Sequence, residues 1–84
     1  MKIIGTVNGA IIANLLDKDN KVLGTTIDTP NAIAYAMAVN PQVVKAIAHY
    51  QMFGDTIHTR EELSDRFEGV MWDKEVLSSY LKWV

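Results

Sequence analysis

The chain has no cysteine. That excludes disulfide staples and thiolate metal centres, and it fits a reducing compartment. No apolar run reaches the length of a membrane span, so the sequence reads as a cytoplasmic protein of the producing or host cell with no membrane partner. Neither sign of charge prevails: the formal net charge is −2, too small for the whole molecule to steer a partner strongly. No glycine spacing makes a phosphate loop, no serine sits in a nucleophile elbow, and no HExxH pair occurs. The expectation is therefore no enzyme and no cofactor. Asn8, Gly9 and Asn14 break the apolar start MKIIGTVNGAIIANLL, and no small-x-small cleavage site follows, so it reads as structure rather than a leader.

What is present suits one folded unit. Apolar residues make up 49% of the 84, a globular rather than a disordered composition. A chain this short buries roughly 60–65% of its unfolded surface, so dimerisation would add useful burial. The fold class expected is α+β, a single domain over 1–84. A three-stranded antiparallel meander (1–28) precedes four short helices, two central (29–54) and two in a C-terminal hairpin (55–84).

The stretch 29–54 organises this reading, with only Lys45 charged. Thr29-Pro30 is a cap followed by proline at the first helical position, which predicts a helix over 30–39. Asn40-Pro41 repeats the signal and disfavours helical dihedrals at Asn40, so a second helix is expected over 41–53 with Gly54 as terminator. Alanines alternate with Ile33, Tyr35, Met37 and Val39, placing large groups on opposite helix faces. That predicts cover on two sides, by the sheet and by the C-terminal helices or a second subunit.

Upstream, Asn8-Gly9 is a strong two-residue hairpin signal. It predicts Val7 opposite Ala10 and Ile3 opposite Asn14, with 10–16 as the second strand and 10–18 as a helix the rival. Asp17 to Asn20 reads as a turn and Lys21 to Ile27 as the third strand. Aliphatics on both sheet faces predict double cover or self-association.

Downstream, Thr59-Arg60-Glu61-Glu62 matches a capping box and predicts a helix over 60–67, closed by Gly69. Asp73 is expected to cap a helix over 74–83, with Val76, Leu77, Tyr80, Leu81, Trp83 and Val84 on its apolar side. In layout this pair resembles a helix-turn-helix, which would imply a DNA-binding regulator. Charge argues against it. From Asp55 onward four basic residues (Arg60, Arg66, Lys74, Lys82) face seven acidic ones (Asp55, Glu61, Glu62, Asp65, Glu68, Asp73, Glu75), a net of −3. Phosphate contact needs the opposite balance, so nucleic acid is the less favoured partner.

The acidic half points to a protein partner with a basic surface. Glu61, Glu62, Asp65, Glu68, Trp72 and Asp73 are the candidate protein-binding residues. Carboxylates on a rigid scaffold can occupy a groove that normally holds nucleic acid. Small phage-encoded inhibitors share this size and charge. The function expected is thus binding or inhibition of a nucleic-acid-handling host protein, with an oligomeric structural role a third reading. Core packing is the expected role of Trp72 and Trp83, and gap-filling that of Met37, Met52 and Met71. His49 and His58 lack metal-ligand spacing. Asp17, Asp19 and Asn20 fail as a calcium loop, because Val22 stands where glycine is required.

Overall fold

Strand β2 (Ala10–Leu16) lies at the centre of the sheet, and its side-chain alternation sets the architecture. The computed structural model describes residues 6–7, 10–52 and 54–84, with side chains from residue 11 onward. The elements are β1 (Thr6–Val7), β2, β3 (Val22–Ile27), α1 (Pro30–Val39), β4 (Lys45–Tyr50), β5 (Gly54–Thr59), α2 (Arg60–Leu63), α3 (Lys74–Ser78) and β6 (Lys82–Trp83). Short 3-10 turns occupy Ser64–Arg66 and Gly69–Asp73. The strand path β5-β4-β2-β3-β6 is antiparallel throughout, and β1 pairs separately with β2.

The α+β class stands, but the meander-plus-four-helices plan is overturned: five antiparallel strands form the continuous path, with three helices. The first hairpin has the expected register, Val7 opposite Ala10. The pairing of Ile3 with Asn14 and the Asn8-Gly9 turn lie outside the described residues. Asp17 closes the next turn, its Oδ1 accepting from the amides of Asp19 (2.8 Å) and Lys21 (2.9 Å). Asn20 takes φ 63 there, a left-handed conformation that asparagine tolerates.

Helix α1 starts as its sequence dictates. Thr29 Oγ1 accepts from Ala32 N at 3.3 Å, and Pro30 opens the first turn. Asn40 ends it, donating its amide to Ala36 O, and its Oδ1 accepts from Gln42 N at 3.0 Å. No helix follows over 41–52. Residues 45–50 form β4, because KAIAHY pairs with β2 on one side and β5 on the other. Tertiary pairing overrides alanine's helix propensity here. Register places Ala13, Leu15, Gly24, Thr26, Ala46 and Ala48 on one face, all buried. Small side chains there let α1 approach closely, with Ile33 and Met37 fully buried. The other side of α1 packs against α2, α3 and the turn between them. Gly54, at φ 82, serves the β4–β5 hairpin rather than a helix end.

The C-terminal hairpin is also revised. Thr59 caps α2 through Glu62 N at 3.2 Å, but the helix lasts only to Leu63. Gly69 opens a 3-10 turn instead of closing a helix, and Asp73 makes no side-chain cap. Helix α3 stops at Ser78. The Ser78 and Ser79 hydroxyls donate back to the carbonyls of Glu75 (3.2 Å) and Val76 (2.5 Å), favouring the tighter turns that follow. The chain then pairs as β6 against β3. A Cβ at Gly24 would stand 2.5 Å from Lys82 O and 2.7 Å from the Trp83 ring, so only glycine admits this strand. Helices of four and five residues joined this way cannot present a recognition helix, which removes the helix-turn-helix layout.

Candidate functional site

Polar and exposed apolar chemistry gathers in two places. The first is a knot around Asp28, at the exit of β3. Cross-strand pairing of Ala48 with Thr56 and Ala46 with His58 turns Thr56 and His58 to the α1 side of edge strand β5. There they meet Asp28, whose side chain is only 7% exposed. Asp28 Oδ2 accepts from the Tyr50 hydroxyl and, at 3.3 Å, from Thr56 Oγ1. Asp28 Oδ1 is buried without a hydrogen bond, 3.7 Å from His58 Nε2. The opposite ring nitrogen, Nδ1, is 2.8 Å from Glu62 Oε2.

The hydrogen bond to Asp28, with burial and the Asp28 charge adding to it, pushes the Tyr50 hydroxyl up to about 12. Of the His58 ring nitrogens, Nδ1 is within hydrogen-bond distance of Glu62, while Nε2 stands 3.7 Å from Asp28 Oδ1, beyond hydrogen-bond length. On the outer sheet face, His49 Nδ1 contacts Asp55 Oδ1 at 2.6 Å. Among the described residues, no three histidine, aspartate or glutamate side chains converge as metal ligands would. The knot joins the exit of β3 to β4, β5 and α2.

The second place is the outward surface of the segment from α2 to α3. Glu61, Glu62, Asp65, Glu68, Trp72 and Asp73 are all exposed on it. Glu62 differs from the rest. Its carboxylate turns to His58 rather than back to the Thr59 amide, so the reciprocal half of the expected capping box is replaced. Among the described residues, no lysine or arginine makes an ion pair with any carboxylate. The two arginines of the segment are engaged elsewhere. Arg60 Nη1 donates to Val43 O at 2.7 Å, and its guanidinium lies 5.0 Å from the Phe67 ring centre. Arg66 Nη1 donates to Asn31 Oδ1 at 3.1 Å, beside a shallow hollow of about 230 Å³ floored by Gly69 and Val70.

Trp72 is not in the core: it is 89% exposed. Val76, expected on the buried stripe, is 58% exposed, while Leu77 beside it is buried. Trp83 is half-exposed in β6, over Gly24. Met37 fills the core as expected, whereas Met52 and Met71 are exposed. Sequence reading missed the Asp28 knot, because its members come from four elements and only Glu62 carried a motif. It also missed Val76 as a surface group, since the helix it was assigned to is cut short. No protein-family model, curated protein or solved structure matches this chain.

Proposed function

We propose that this chain is a small non-catalytic binding protein that engages, and thereby inhibits, a basic nucleic-acid-handling protein in the cytoplasm. The contact surface is the stretch from Glu61 to Val76. One observation carries this reading: Trp72 stands 89% exposed in a segment whose carboxylates, among the described residues, pair with no lysine or arginine. Exposed tryptophan is expensive to keep in water and is enriched where interfaces concentrate their energy. Carboxylates without internal partners keep their field for an approaching cationic surface.

The test is capture of nucleic-acid-binding proteins from a cell extract, with duplex DNA as competitor. The wild-type chain should retain a basic protein that high salt and DNA both displace. A variant with Glu61→Lys, Asp65→Lys and Glu68→Lys should lose it. Retention unchanged by charge reversal, or no retained protein at all, contradicts the reading.

Self-association through the outer sheet face is a second reading, supported by Ile57 at 55% exposure beside half-buried Ile47. Sedimentation at micromolar concentration should then show a dimer that Ile57→Lys dissociates; a wild-type monomer removes this reading.

A further inference from the structure

We propose that Trp72 receives an arginine side chain of the partner, its guanidinium lying on the indole face while its N–H groups reach the neighbouring carboxylates. This rests on the binding role proposed above and specifies its anchor. Gly69–Asp73 is a 3-10 turn and Lys74–Ser78 a short α-helix that follows it directly. Along the chain Glu68, Asp73, Glu75 and Val76 all lie within four residues of Trp72. All five are exposed. The carboxylates of Glu68, Asp73 and Glu75 make no hydrogen bond or ion pair among the described residues.

Charge decides between occupants. A purely apolar partner would strip water from these carboxylates and leave them unpaired. A second copy of the same patch would set like charges against each other. A lysine ammonium neutralises charge, but as a compact point charge it does not cover the indole while donating sideways. A guanidinium is planar, stacks on the ring and keeps its N–H groups in plane for carboxylates. The chain already uses this geometry internally: Arg60 lies 5.0 Å from the Phe67 ring centre while its Nη1 donates to Val43 O at 2.7 Å.

The experiment is fluorescence anisotropy of labelled oligoarginine and oligolysine peptides of equal length, titrated with the full chain. Proteins compared are wild type, Trp72→Leu, and a variant carrying Glu68→Lys, Asp73→Lys and Glu75→Lys. The expected result is tighter binding of oligoarginine by roughly 2- to 30-fold. Trp72→Leu should erase that preference and leave oligolysine affinity unchanged, and the triple reversal should abolish both. Equal affinity for the two peptides, or a preference that survives Trp72→Leu, overturns the arginine anchor and leaves the basic-partner reading standing. No binding of either peptide, or binding indifferent to the triple reversal, overturns both.

Discussion

The layer between sheet and α1 and the segment from α2 to α3 handle apolar surface in opposite ways. In the first, Leu15, Ile33, Met37 and Val43 are fully buried, and alanines let helix and sheet approach. In the second, only Leu63, Val70 and Leu77 are buried, while Met71, Trp72 and Val76 face outward among acids. A chain able to pack one face so completely has no packing reason to leave a tryptophan in water on another. The difference separates residues that hold the fold from residues left free to bind.

Breaking the buried layer should have the largest effect. Met37→Ala removes a fully enclosed side chain and should cost about 2–5 kcal/mol in urea unfolding, a large part of the stability of so small a domain. A loss below about 1 kcal/mol would show that α1 is not seated as described. Next comes the seam where the two regions join. Gly24→Ala places a Cβ 2.5 Å from the Lys82 carbonyl and should cost about 1–3 kcal/mol. Hydrogen exchange should localise the damage, because the Val84 amide donates to Leu23 O at 2.9 Å only while β6 is docked.

A smaller change of opposite sign tests the same core. Thr26 is fully buried and its hydroxyl has no hydrogen-bond partner. Thr26→Val keeps the shape, removes that orphan and should add about 1 kcal/mol. A destabilised Thr26→Val would mean that the hydroxyl is satisfied in solution. The Asp28 knot predicts a modest pH effect. The Tyr50 hydroxyl is pushed up from 10.0 to about 12, so its contribution is complete below pH 10. It is lost as pH rises through about 12. Unfolding monitored across that range should show an alkaline loss that Tyr50→Phe removes.

The parts legible in the sequence are those set by local chemistry. Thr29-Pro30 fixes the start of α1, Asn40 its end, and Thr59 the start of α2, each through a backbone or side-chain bond to a near neighbour. The parts that were not legible depend on distant chain. Ala46 and Ala48 carry a helix former's propensity, yet they lie buried in β4 between β2 and β5, where pairing decides. Ser78 and Ser79 read as the polar side of a long helix, but the chain turns there because Gly24, far upstream, admits Trp83 against β3. The acids of the candidate surface were visible from composition. The exposure of Trp72 was not, since a tryptophan beside a turn has the same local pattern whether it faces inward or outward.

The claim on which the rest depends is that Trp72 lies outside the fold and free of any second copy. Urea unfolding of Trp72→Ala, at the protein concentration used for the wild type, tests it most directly. The account predicts a free energy of unfolding within about 0.5 kcal/mol of wild type. A loss of about 3 kcal/mol or more, as for an enclosed tryptophan, would contradict it.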